Sequence, residues 1–233
     1  MPFASFEWAD FITPLALVGV VYASLIAIKQ DDLKRLVAYS SIAHIGLMCA
    51  ACFAQNILSV QGVMMQMFNH GTITAMLFLI VGVIYDRAHT RGLNDFGGLM
   101  NQMPKYSGVM TVAFFAALGL PGLSGFISEA FVFLGAFQST AIRTITIAST
   151  IGIVLTAGYM LWTLQRVFLG TLPEKWKSLP DINGRELFTL VPLAVIVIFL
   201  GIYPSPMIDL MTSAVNALVG VLNSGGGLAL IGH

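Results

Sequence analysis

The stretch Tyr106–Phe137 reads YSGVMTVAFFAALGLPGLSGFISEAFVFLGAF and carries a single charged side chain, Glu129. A helix needs about 20 residues to cross the roughly 30 Å hydrocarbon core of a bilayer, so this run exceeds one crossing. Its middle holds Gly119-Leu120-Pro121-Gly122, where proline removes a backbone donor and glycine loosens the helix. The run therefore reads as a broken membrane helix with a carboxyl just beyond the break.

The rest of the chain agrees. It is 57% hydrophobic and 9% charged, with a mean hydropathy of +0.87, whereas a soluble domain has about 25% charged residues. The zero net charge and the lack of a basic, aromatic-interleaved patch exclude a nucleic-acid footprint. We read six crossings: about Phe11–Ile28, Leu36–Ala54, Leu58–Tyr85, the broken Tyr106–Phe137, Ile145–Leu169 and Leu187–Ile202. The third is long enough to require tilt or protrusion. The N-terminus lacks the basic region of a secretory signal, so the first run reads as a retained span.

The expected fold class is an all-α membrane protein, a bundle of about six transmembrane helices over residues 1–204. Beyond Pro206, Asp209, Thr212, Ser213 and Asn216 form one polar stripe at helical spacing. Residues 205–223 are thus expected to form an amphipathic helix at the membrane surface, followed by a flexible Gly-rich tail at 224–233. Six alternating crossings put Lys29, Lys34, Arg35, Arg87, Arg91, Lys105, Arg166, Lys175, Lys177 and Arg185 on one face and Arg143 alone on the other. Because Lys and Arg are retained on the cytoplasmic side, both termini are expected outside the cytoplasm. Arg143, Trp162 and Trp176 read as interfacial anchors.

A charge near the bilayer centre costs at least about 2.5–3.5 kcal/mol on insertion scales, which makes ionisable residues there functional candidates. His44, His70 and Glu129 qualify, each within a few turns of the midplane of its segment. Ser40 lies one turn before His44, and Gln66 and Thr74 flank His70, with Asn69 beside it. Thr156, Tyr159 and Thr163 line one face of the fifth crossing. These polar groups can hold water in a path, or the hydroxyls can bond back to their own helices.

At Glu129 the half-helix dipole favours a carboxylate and desolvation opposes it. A group balanced between the two can take up and release a proton; the alternative is a permanently protonated side chain bonded across helices. Histidine titrates at about 6.5 when unperturbed, so His44 and His70 fit either a relay or a neutral interhelical hydrogen bond. Lys34 sits near the expected membrane edge, where a basic side chain snorkels to water. Asp31 and Asp32 just before it suggest a local ion pair, which leaves positioning and participation both open. Cys49 and Cys52 form a lone CxxC without the second pair a metal or iron-sulfur site needs, and read as helix packing. No nucleophile–base pair, metal spacing or phosphate loop points to a soluble active site.

Four ordered motifs resemble a known family: DDLKRLVAYSSIAHIGLM (Asp31–Met48), QMFNHGTITAMLF (Gln66–Phe78), YDRAHTR (Tyr85–Arg91) and GLPGLSGFISE (Gly119–Glu129). The chain is similar to the antiporter-like subunits of respiratory complex I, nearest the chain M type, which share ancestry with Mrp-type sodium/proton antiporters. The resemblance implies two inverted five-helix repeats, each with a broken helix, and a central row of charged groups and water.

On that resemblance His44 and His70 belong to the central axis, Glu129 is the carboxylate on the broken helix of the second repeat, and Lys34 matches a basic residue of the leading motif. A carboxylate at Glu129 indicates the chain M type, since sister subunits generally place lysine there; Ser128 stands where glycine is common. The resemblance also implies that this chain corresponds to the second repeat plus a closing helix. It is then a split-gene product, a truncated frame or a fragment, and needs a partner subunit supplying the first repeat. NADH, flavin, iron-sulfur clusters and quinone are expected in other subunits, with no cofactor in this chain. Three functions follow: part of a redox-driven proton pump in an energy-coupling membrane, a subunit of an Mrp-type antiporter, or a non-conducting structural remnant.

Overall fold

Asp32 starts a helix because its carboxylate accepts the backbone N–H groups of Lys34 and Arg35 at 2.8 and 3.1 Å, satisfying donors that no earlier turn can reach. In the computed structural model, which describes residues 7–230 and side chains through 224, such caps delimit an all-α fold. The long helices are α1 (Ala9–Ile28), α2 (Leu33–Cys52), α3 (Ile57–Ala88), α4 (Pro104–Ala117), α5 (Ser124–Gln138), α6 (Arg143–Phe168), α7 (Gly184–Ile202) and α8 (Ser205–Leu230). Asn56 caps α3, Pro104 opens α4 at a position that needs no N–H, and Asn183 with Glu186 forms a capping box at α7.

The break falls where the sequence put it. Residues 118–123 separate α4 from α5, with Gly119 at φ 76° and Gly122 at φ 95°, backbone that favours glycine. At 1.5 Å per residue, α4 and α5 are each about 21–23 Å long, too short to cross alone. They span only as a pair.

Among the described residues six helices are long and apolar enough to cross a membrane: α1, α2, α3, α6, α7 and α8 over Ser205–Ser224. The six differ from the expected set, since the broken segment drops out by length and α8 enters. Helix α8 runs to Leu230, so helix replaces the expected tail up to that residue; 231–233 lie outside the described residues. Its Met211, Val215 and Val219 pack with Val60 and Met65 of α3. Thr212 meets Gln61, and Val219 and Asn223 share a pocket wall with Ile57 and Leu58.

The long helix α3 organises the core. On one side it meets α5 through glycines: a Cβ on Gly62 would run into the backbone of Phe131 and Val132, and one on Gly135 into Ser59. Small residues permit such close helix contact. On the other side Ile73, Met76, Leu77, Ile80 and Ile84 pack into a cluster with Tyr106, Met110, Phe114 and Met160. At one end of the bundle Arg87 of α3 grips Glu186 of α7 through two hydrogen bonds of 2.9 and 2.7 Å and also donates to the carbonyls of Pro180 and Asp181. The Asp181 carboxylate in turn receives the N–H groups of Lys105 and Tyr106 at the start of α4.

One local expectation is corrected here. Asp32 pairs with Arg91 at 3.3 Å, not with the ammonium of Lys34, because its other oxygen is taken by the helix cap. Trp176, expected as an anchor, also stacks on Phe96 at 5.9 Å and donates to the Asp95 carbonyl at 2.7 Å.

Candidate proton site at the helix break

Glu129 lies in the second turn of α5, with its side chain toward α2. Its Oε1 stands 3.3 Å from His44 Nε2. Both residues are buried, at 9% and 8% exposure. His44 Nδ1 lies 2.8 Å from the Ser40 carbonyl; a carbonyl only accepts, so this nitrogen carries a proton. The imidazole also lies against the carbonyl of Ala117, at the end of α4 where the helix ladder stops.

His70 of α3 adjoins the pair. Its ring centroid is 5.3 Å from that of His44, and its Nε2 stands 2.8 Å from Ser41 Oγ and 3.4 Å from Thr74 Oγ1. Below it, Ser128 donates to Gln66 and Asn69 donates to the Ser124 carbonyl at 3.0 Å, fastening the start of α5 to α3.

Two small cavities flank the His44–Glu129 pair. One, of about 20 Å³, is walled by Ser149, Gly152 and Thr156 of α6 together with His44 and Glu129. The other, of about 10 Å³, lies between Ser40, His44, Gln66, His70, Thr74 and Glu129. A water needs roughly 10–15 Å³, so each has room for about one molecule. Tyr159 donates to Thr156 at 3.2 Å on the α6 side.

The chemistry follows from the tautomer. With Nδ1–H held by Ser40, a neutral His44 offers its Nε2 lone pair to a protonated Glu129, and a charged His44 offers N–H to a carboxylate. Both arrangements hold one proton between them and carry no net charge, so a proton can change owner without adding net charge to the low-dielectric interior.

Of the sequence-derived residues, the structure brings His44, His70 and Glu129 together and leaves Lys34 out. Lys34 is exposed at the start of α2, ten residues and about 15 Å along the helix from His44. Several hydroxyls simply bond their own helix, Ser40 to the Val37 carbonyl and Thr163 to the Tyr159 carbonyl, each at 2.7 Å. Sequence reasoning missed Ser41 as the partner of His70, because periodicity along one helix is silent about what faces it. Among the described residues there is no group of three metal-binding side chains.

Residues 1–156 match the family described as NADH:quinone oxidoreductase/Mrp antiporter, TM. The chain is 42% identical over 219 residues to NADH-quinone oxidoreductase subunit M of Rhodobacter capsulatus, covering 94% of this chain and 42% of that one. It is 40% identical over 205 residues to F(420)H(2) dehydrogenase subunit M of Methanosarcina mazei, covering 88% and 41%. It therefore spans less than half the length of these curated relatives. Respiratory complex I from Thermus thermophilus superposes with a TM-score of 0.86 at 24% identity, covering 94% of this chain and 46% of the matched one. The Mrp complex from Dietzia superposes at 0.80 and 17%, covering 92% and 48%; both likenesses establish the shared fold. The chain belongs to the NADH:quinone oxidoreductase/Mrp antiporter transmembrane family.

Proposed function

We propose that the chain is a proton-translocating membrane subunit of an NADH-quinone oxidoreductase-like complex, contributing part of a proton channel driven by electron transfer elsewhere in the assembly. The observation that carries this reading is the buried His44–Glu129 pair with a water-sized cavity on either side. A proton arriving from the His70 side displaces the shared one toward Thr156, with Glu129 and His44 as acid and base and His70 as the relay. Lys34 is left as an outlying electrostatic group at the mouth of α2.

On this reading the chain performs no redox chemistry; NADH, flavin, iron-sulfur clusters and quinone act in other subunits. Its partners are the lipid bilayer and other membrane subunits of the complex. Both termini face the non-cytoplasmic side of an energy-coupling membrane, and α8 lies along that surface.

The test is Glu129→Gln in membranes carrying the assembled complex, read as protons moved per electron transferred. We expect the ratio to fall; an unchanged ratio would falsify a role for Glu129 in the pathway and favour a non-conducting remnant. The family also includes Mrp antiporters, and that second reading is separated by the driving force. Transport that persists without electron transfer and follows a sodium gradient identifies an antiporter.

A further inference from the structure

The two oxygens of the Glu129 carboxylate face different elements. Oε1 points to His44, and Oε2 rests over the bare Cα of Gly119 in the break. A Cβ built on Gly119 would stand 3.5 Å from the carboxyl carbon, an ordinary contact, but 2.6 Å from Oε2, closer than real Cβ atoms come. The neighbouring Gly122 has the same kind of backbone, φ 95° against 76° for Gly119, but a Cβ there would meet open space. Left-handed backbone explains a glycine at both positions. Only at Gly119 does the missing side chain also make room for the ionisable group.

We infer that Gly119 is a positioning residue for Glu129: its bare Cα is the floor of a socket that seats the carboxyl within reach of His44. The break then does two things at once. It opens the helix, and it leaves a Cα without a side chain where the carboxyl lies. With a Cβ at 119 the carboxyl must shift from its place, and since Oε1 and Oε2 belong to one plane, the 3.3 Å approach to His44 is disturbed with it.

This role rests on the reading of Glu129 as a proton-carrying group, so the test has two readouts. One is the infrared carboxyl band assigned by its loss in Glu129→Gln; the other is protons moved per electron. Both are measured in membranes carrying the assembled complex. Gly119→Ala is expected to shift the Glu129 band and to lower pumping to the level of Glu129→Gln. Gly122→Ala, which carries similar backbone strain without the contact, is expected to leave the band in place. A shifted band with pumping intact in both Gly119→Ala and Glu129→Gln supports the socket while sinking the transport role. An unshifted band in Gly119→Ala, or equal shifts in both glycine variants, overturns the socket. If Gly119→Ala does not assemble, the double variant Gly119→Ala/Glu129→Asp decides. The shorter side chain withdraws the carboxyl, so assembly should return; continued failure assigns the defect to backbone strain and overturns the inference.

Discussion

His44 Nε2 and Glu129 Oε1, 3.3 Å apart, join the second helix to the far half of the broken one. Removing one member of a buried pair leaves the other without a partner and costs about 3–5 kcal/mol, whereas replacing both with apolar groups is often neutral or better. His44→Leu and Glu129→Leu are therefore each expected to lower the thermal stability of the assembled subunit. The double variant should lose less than the sum, with a coupling of roughly 0.5–3 kcal/mol. Strictly additive losses would mean that the two side chains do not depend on each other.

Lys34 offers the opposite expectation. It is exposed, separated from His44 by almost three helical turns, and only its backbone N–H does structural work, at the Asp32 cap. Lys34→Ala keeps that N–H and adds a good helix former. Proton pumping should stay well above that of Glu129→Gln, while Asp32→Ala, which removes the cap, should cost about 0.5–2 kcal/mol of stability. A loss of pumping in Lys34→Ala equal to that in Glu129→Gln would restore Lys34 to the pathway.

The Arg87–Glu186 bond ties α3 to α7 with bidentate geometry, and both side chains are mostly buried, 11% and 18% exposed. A lysine keeps the charge and loses the planar fork. Arg87→Lys is thus expected to destabilise the subunit by about 1.5–3 kcal/mol, the range for hydrogen bonds to charged groups. Because Arg87 also holds the Pro180 and Asp181 carbonyls, Glu186→Gln should cost less than Arg87→Lys. Equal thermal midpoints for wild type and Arg87→Lys would show that the fork adds nothing.

What was legible in the sequence was what one helix dictates to itself. Proline and glycine act on their own backbone, so the break at Gly119–Gly122 could be read directly, and apolar runs gave the helices to within a few residues. His44, His70 and Glu129 stood out because an ionisable group in an apolar run is costly wherever it points. Contacts between helices were silent. Arg87 read as one more cation on a charged face, yet it is the centre of a four-segment clasp; Trp176 read as an anchor, yet its ring is stacked and its N–H used. The ion pair suggested for Lys34 failed for the same reason: Asp32 beside it in sequence turns in space to Arg91 and to the backbone.

The approach of α3 to α5 decides whether Glu129 reaches the site at all. A Cβ on Gly62 would overlap the backbone of Phe131 and Val132, and backbone in the middle of a helix cannot step aside as a side-chain tip can. Gly62→Ala must then push α5 outward, and Glu129, one turn from Val132 on the same helix, moves with it. Overpacking of this kind costs about 1–3 kcal/mol, against a gain of roughly 1 kcal/mol from replacing glycine by alanine within a helix. The net expectation is a lower thermal midpoint together with weakened pumping. Gly82→Ala on the same helix meets nothing within 4 Å, so it should show the propensity gain alone, with pumping unchanged. If Gly62→Ala instead stabilises as Gly82→Ala does, α3 and α5 are not in contact there, and the path by which the fold delivers Glu129 to His44 must be different.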